Sequence, residues 1–285
     1  MDMAATPTRR RRFTFDRQAR SFDRRAGLPP GVAQRVAAAV VELLAAARPR
    51  GAAGGGLLLE LGAGTGEIGA ELALRAPRYV GFDLSPAMLA RFRRRRGRPR
   101  SAWLVAADGD ATWPFRDRTA RLIFASRAAH LLAPEPLVGE ILRLADDAGA
   151  LLVAGRVRRA PISLRDELRR ELRRRLAARG VEARRGGASL RRLRDALVAH
   201  GGEPLPPRVV AAWEVVERPD DALAAWRAKD GLAGVALEPE LRRAVLDELA
   251  AWARTRYGAL AYQRTSEERY ELAAIRLPAR REDRR

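Results

Sequence analysis

Leu57-Leu58-Leu59-Glu60-Leu61-Gly62-Ala63-Gly64-Thr65-Gly66-Glu67 is a short apolar run that ends in an acid and opens into three glycines. Such a run, apolar at nearly every position, reads as a parallel strand buried on both faces. Glycines directly after it let backbone amides approach a ligand with no Cβ in the way, and a helix starting there favours an anionic or nucleotide-like group. The dinucleotide fingerprint Gly-x-Gly-x-x-Gly would put its third glycine at position 67, which is Glu67. The glycines fall instead at 62, 64 and 66, which disfavours a nicotinamide cofactor.

Outward from this segment, strand and helix patterns alternate. A helix is expected over 67–75, a strand at Tyr79-Val80-Gly81-Phe82, and a helix over 86–96 with Pro86 in its first turn. Strands follow at 102–106, 120–125 and 150–154, with a helix over 134–145 before the last. Upstream, Val32 to Ala47 reads as an amphipathic helix. This alternation predicts a doubly wound α/β sheet. Beyond Gly155 the pattern becomes helical. Leu164, Leu168, Leu172 and Leu176 recur four apart among arginines, and Ser189 starts a second helix. A strand over 209–216, helices over 220–229 and 238–257 and a last strand over 269–277 complete the chain. The expected segments are a basic tail and N-terminal lid at 1–30, a core at 31–155, a helical cap at 156–207, and core-completing elements at 208–285.

Composition bounds the chemistry. The 285 residues suffice for a full core, and 47% hydrophobic with 32% charged residues describes a soluble globular chain. With no cysteine, disulfides, thiolate nucleophiles and thiolate metal sites are excluded, and two histidines are too few for a His-rich metal site. No apolar run reaches the roughly 18 residues of a membrane span. No apolar h-region follows the N-terminal arginines, so a cytoplasmic protein is expected. The net charge of +20 is clustered: residues 1–25 carry +5, 91–100 carry +7 and 156–192 carry +10.

The glycine loop, Val80-Gly81-Phe82-Asp83-Leu84-Ser85-Pro86-Ala87-Met88 and Ala107-Asp108-Gly109-Asp110-Ala111-Thr112-Trp113-Pro114-Phe115 together resemble the class I S-adenosylmethionine-dependent methyltransferase family. Arg121 to Ser126 and Ile141 to Gly149 extend the resemblance, which covers roughly 55–155. It implies a Rossmann-like sheet of seven strands, mostly parallel with the last antiparallel, plus a helical cap insertion. It implies S-adenosyl-L-methionine as cofactor. Gly62, Ala63, Gly64 and Gly66 would wrap its methionine part, with Glu60 near the amino group. Asp83 would accept from both ribose hydroxyls, as a two-oxygen carboxylate suits a vicinal diol. Leu84 and Met88 would pack on adenine, Asp108 would accept from its amino group beside the Gly109 amide, and Ser126 would complete the site. Against the family pattern, Asp108 and Asp110 stand six and four before Pro114 rather than five. Asp108 is preferred because it directly follows a strand, and Asp110 stays open.

The acceptor is less legible. A sulfonium methyl is already activated, so transfer needs alignment and a desolvated pocket more than a fixed base. His130 is the candidate base, although a helix-start histidine bonded to backbone is the plainer reading. Arg127 and Arg156 are candidate substrate contacts, as is Phe22 in a stretch, Phe15 to Asp23, that resembles the family's lid helix. Phe22 stands where that helix usually has tyrosine, so a hydroxyl role is lost. No acidic cluster suggests a metal. The expected acceptor is a small molecule at O, N or C. An RNA methyltransferase using the clustered arginines and a non-catalytic S-adenosylmethionine-binding protein are the alternatives.

Overall fold

The computed structural model describes residues 15–47, 56–95, 102–147, 149–160, 163–182, 188–229 and 231–279. The basic tail expected at 1–12 and the arginines at 96–100 lie outside them. The chain divides into two compact units. The first comprises residues up to Arg156, Gly187–Ala211 and Tyr270 onward; the second comprises Val157–Gly186 and Ala212–Arg269.

The first unit is built on a mostly parallel sheet. Its strands are β1 (Leu57–Leu61), β2 (Tyr79–Asp83), β3 (Trp103–Ala106), β4 (Ala120–Ser126), β5 (Leu151–Arg159), β6 (Glu203–Pro204), β7 (Arg208–Glu217) and β10 (Arg264–Arg276), of which β5, β7 and β10 have residues in both units. Their order is β3-β2-β1-β4-β5-β10-β6, with β7 also paired to β10. β1 lies parallel to both β2 and β4, and β4 parallel to β5. β10 is the antiparallel strand: it pairs antiparallel with β6, and the Leu277 amide donates to Ala150 O at 2.8 Å while the Ala160 amide donates to Glu267 O at 2.9 Å. Eight strands therefore stand in the sheet where seven were expected. The extra one is β6, whose two residues are too short to leave a periodic signal.

The strand order reverses between β1 and β4, so the loops leaving their C-terminal ends diverge and open a crevice. Helices cover the sheet: α2 (Val32–Ala46), α3 (Gly69–Arg75), α4 (Pro86–Arg94), α5 (Pro134–Leu144) and α7 (Ala188–Ala199), after the short α1 (Phe22–Ala26). In α2, Val32, Val36, Val40 and Leu44 recur every four residues and are buried, which is the stripe that turns this helix inward. α4 starts where it does because Ser85 caps it, accepting from the Met88 amide at 3.1 Å, and Pro86 fits the first turn. Leu59, Phe82, Ile123, Leu152 and Leu197 form the centre of one apolar core.

The second unit packs α6 (Leu164–Ala177), α8 (Pro219–Arg227) and α9 (Pro239–Tyr257) with a small hairpin of β8 (Gly231–Leu232) and β9 (Val235–Ala236). The expected cap of 156–207 differs from this unit. It takes in α7, which belongs to the first unit, and leaves out 212–269, which complete the second. The leucine stripe of α6 is as expected: Leu164, Leu168, Leu172 and Leu176 are all buried, against Leu223, Leu246 and Leu249. Leu168→Ala is expected to cost about 2–5 kcal/mol, read by calorimetry as a lowered transition. A loss under about 1 kcal/mol would show that the stripe is not a packed core.

Candidate active site

The crevice holds a pocket lined by all three kinds of segment singled out in the sequence: the glycine loop, the end of β2 and the end of β3. Gly62, Gly64 and Gly66 all have positive φ (70°, 54° and 77°), the left-handed region. At Gly62 a Cβ would run into Ala128, and at Gly66 into the Phe92 ring. The amides of Gly62 and Ala63 both donate to Phe82 O, at 2.9 and 3.0 Å, which locks the loop against β2. Gly62, Ala63, Gly64 and Thr65 line the pocket; Gly66 does not, and its place is to make room for Phe92.

Asp83 is the latch between the two segments. Its Oδ2 accepts from the Gly64 amide at 2.9 Å and its Oδ1 from the Ser85 amide at 2.8 Å. Each oxygen keeps a lone pair for a further donor. Burial pushes its pKa up, the two amides pull it back, and the nearby Asp16 carboxylate pushes it up again. Glu60 is 2% exposed and accepts from the Tyr79 hydroxyl. Burial raises its pKa to about 8, opposed by the Tyr79 hydrogen bond and reinforced by the charge of Asp83. Among the described residues no cation stands within ion-pair distance of it. The pocket thus presents two acids short of positive charge, a setting that suits a ligand with an ammonium and a vicinal diol.

Glu60 has a consequence for stability. The folded protein keeps its proton above the ordinary carboxylate value, so the folded state binds more protons than the unfolded one. Stability is full below about pH 4.5 and is lost as pH rises toward about 8, by about 1.4 kcal/mol per unit at the steepest. Thermal melts of the cofactor-free protein should show this fall, and Glu60→Gln should flatten it. Identical pH profiles for both proteins would contradict the assignment.

Leu84, Met88, Ala107, Asp108, Gly109 and Leu132 line the other end of the pocket. Asp108 and Asp110 part company here. Asp108 accepts from the Asp110 amide at 3.0 Å and lines the pocket. Asp110 turns to the Ala133 amide at 2.9 Å, at the start of α5, and is not among the lining residues.

At the mouth, Ser126 lines the pocket and shares a 2.6 Å hydrogen bond with the Tyr270 hydroxyl. Arg127 also lines it, donating to Ala26 O and pairing with Glu67 at 3.0 Å. The other Glu67 oxygen accepts from the Leu28 amide at 2.5 Å. Further along the N-terminal segment, Asp16 accepts from the Ser85 hydroxyl at 2.5 Å. Asp23 accepts from the Thr65 hydroxyl and pairs with Arg95 at 2.9 Å. Residues 15–28 are therefore strapped to the site at several points, and Phe15 and Phe22 line the pocket.

Two expectations need revision. His130 is exposed on a 3-10 turn at Ala129–Leu131, and its neighbours Ala128, Leu131 and Leu132 line the pocket while it does not. Arg156 also stands outside the lining, its guanidinium paired with Glu271 at 2.6 Å, directly across the β5–β10 ladder. Within the arginine cluster that begins at 91, Arg95 reaches Thr65 O at 3.2 Å as well as Asp23, because Phe92, one turn earlier, packs against the glycine loop. Sequence reading missed Phe15, Glu67 and Tyr270. Glu67 had a signal, as an acid opening a helix after the loop; Tyr270 had none, since 144 residues separate it from Ser126.

Comparison with known proteins agrees with this geometry. Residues 59–153 match the model of a family described as a methyltransferase domain. No curated protein matches the chain. Among solved structures, a protein described as a methyltransferase from Bacillus halodurans C-125 is 16% identical, with a TM-score of 0.52 over 85% of this chain and 98% of that one. The (4+2)-cyclase SpnF is 18% identical, with a TM-score of 0.54 over 98% and 99%. A protein described as a type II methyltransferase from Anaeromyxobacter dehalogenans is 21% identical, with a TM-score of 0.51 over 85% and 97%. At these identities the likeness to solved structures is one of fold. Residues 59–153 thus match a methyltransferase domain, set in a fold that the chain shares with solved methyltransferase structures.

Proposed function

We propose that the protein methylates a small-molecule acceptor, in the cytoplasm, by in-line displacement. The observation that carries this reading is that Phe15 and Phe22 of the strap line the same pocket as Asp83 and the glycine loop. An acceptor entering there fits between an aromatic roof and the cofactor cradle, a space for a compact molecule. S-adenosylmethionine, when bound, supplies an activated sulfonium methyl. Asp83 holds the ribose diol through the lone pairs its two amide contacts leave over. Gly62, Ala63 and Gly64 hold the methionine part and Glu60 takes its ammonium. Asp108 and the Gly109 amide take the adenine edge, with Met88 and Leu84 packed on the ring. Gly66 serves the cradle indirectly, through Phe92. The strap excludes water from the transfer, which strengthens every charge interaction inside. Ser126 and Arg127 face the acceptor, and Tyr270 positions Ser126. Among the described residues no cluster of metal-ligating side chains occurs. Nor is any described helix long and apolar enough to cross a membrane.

The rival acceptor is RNA. The arginines nearest the mouth, Arg127 and Arg95, are committed to Glu67 and Asp23, which leaves them poorly placed for phosphates. Radiolabelled S-adenosylmethionine offered with a low-molecular-weight metabolite fraction, and separately with total RNA, tests the choice. Label should enter the small-molecule fraction. Label entering RNA alone would overturn the proposal.

A further inference from the structure

Tyr270 is fully buried on β10, and β5 stands between that strand and β4 in the sheet. Its side chain reaches Ser126 only by crossing β5, and it crosses at Gly155, the residue in register with Ser126. A Cβ at Gly155 would collide with the Tyr270 hydroxyl, so this glycine is the notch that lets the ring through. The Arg127 amide donates to Gly155 O at 2.9 Å, and Arg127 stands in left-handed backbone at φ 55°, which turns the chain away directly after Ser126. The 2.6 Å contact between the two hydroxyls is thus fixed from both sides.

Counting hydrogens sets the direction of that contact. Each hydroxyl has one hydrogen to donate. Among the described residues the Tyr270 oxygen has Ser126 Oγ as its one hydrogen-bond partner. Were Ser126 the donor, the buried Tyr270 hydrogen would have no acceptor, a costly state for a buried group. With Tyr270 donating, the Ser126 hydrogen is left to turn into the pocket that Ser126 lines. Burial keeps the proton on Tyr270 beyond the ordinary phenol range; the Ser126 bond and Arg127 oppose this, and Glu60 and Glu67 reinforce it. A hydroxyl that accepts one hydrogen bond donates a stronger one in turn. Arg127 makes no such selection, because Glu67 already answers its charge at 3.0 Å.

An O–H donor beside the reacting centre discriminates between methyl acceptors. An amine nitrogen has one lone pair, and a pair that accepts from Ser126 is spent for attack on the methyl group. An oxyanion has lone pairs for both. We propose that the methyl acceptor is a phenol or enol, taken as its oxyanion by Ser126, with Tyr270 as the positioning residue that keeps Ser126 a donor. The acceptor gives its proton to solvent, its oxygen forms the new C–O bond as the sulfonium C–S bond breaks, and the thioether leaves neutral. This inference rests on the small-molecule reading above.

Titration calorimetry of the full-length protein saturated with S-adenosylhomocysteine tests it. The matched probes are pentafluorophenol, which is ionised at neutral pH, and pentafluoroaniline, which is not. The phenol should bind at least about tenfold more tightly. Tyr270→Phe and Ser126→Ala should each bring the two affinities close together, whereas Ser126→Thr, which keeps the hydroxyl, should preserve the preference. A merely loosened fold would weaken both probes alike and leave their ratio standing. Equal binding of the probes by the parent, no binding of the phenol, or an unchanged ratio in Tyr270→Phe would each overturn the proposal. The small-molecule reading fails separately, by label entering RNA alone, and the methyl-donor reading by S-adenosylhomocysteine not binding at all.

Discussion

Asp83→Ala is expected to weaken S-adenosylmethionine binding by roughly 10²–10⁴-fold. Two hydrogen bonds from a diol to a charged carboxylate are lost, at about 1.5–3 kcal/mol each, and each 1.4 kcal/mol is about a factor of ten. The same substitution frees the Gly64 and Ser85 amides that Asp83 now holds, so the loop loses its tie to α4. Titration calorimetry gives the affinity, and circular dichroism confirms that the variant is folded. A folded variant with unchanged affinity would remove Asp83 from the site. The pH dependence has a defined sign. The Asp83 pKa is raised, chiefly by burial, and the ionised form is the one that accepts two hydroxyls. Affinity should therefore fall as pH drops through a value above the ordinary carboxylate range.

Gly66→Ala is expected to destabilise the protein itself, by about 2–5 kcal/mol. A Cβ there enters the Phe92 ring, an overpacking that typically costs about 1–3 kcal/mol. A further cost of about 1–2 kcal/mol comes from holding an alanine in left-handed backbone at φ 77°. The melting temperature should drop by roughly 4–20 °C with no cofactor present. The contrast is Gly139→Ala. Gly139 is exposed within α5 and a Cβ there meets nothing within 4 Å, so alanine should stabilise by about 0.5–1 kcal/mol. If Gly66→Ala melts like the parent, the packing of Phe92 on the loop is not what fixes this glycine.

The two substitutions also mark what sequence could and could not disclose. The β1 run and the glycine spacing carry their meaning locally, since each residue's part is set by neighbours within a turn. Asp83 follows from its own strand end, and Ser85 with Pro86 announces α4. The choice between Asp108 and Asp110 was beyond spacing, because it depends on Ala133, 23 residues beyond Asp110. His130 and Arg156 follow the ends of β4 and the buried part of β5 in sequence, and closeness to a strand end sets the height of a residue in the fold but not the direction of its side chain. Arg156 faces across the ladder to Glu271, a partner 115 residues on. The cap misled for a similar reason. Periodicity found α6 and α7 correctly, but it carries no information on which core each helix joins. Leu193 and Leu197 pack with Ile123 and Leu152, and Leu168 and Leu172 with Leu246.

The strap of residues 15–28 bears on the tempo of the enzyme. Its fastenings are side-chain contacts and partly exposed ion pairs such as Asp23 with Arg95, whose side chains are 38% and 29% exposed. Pairs of this kind contribute only about 0–1 kcal/mol each. Several together with two aromatic rings hold the strap down by a few kcal/mol, while opening remains a motion of microseconds to milliseconds. The fastenings grip Ser85, Thr65 and Glu67, which belong to the cradle itself, so the spent donor leaves only after they let go. Loosening the strap with Asp23→Ala is therefore expected to speed release of the spent donor, read by stopped-flow fluorescence; an unchanged release rate would show that residues 15–28 do not hold it in.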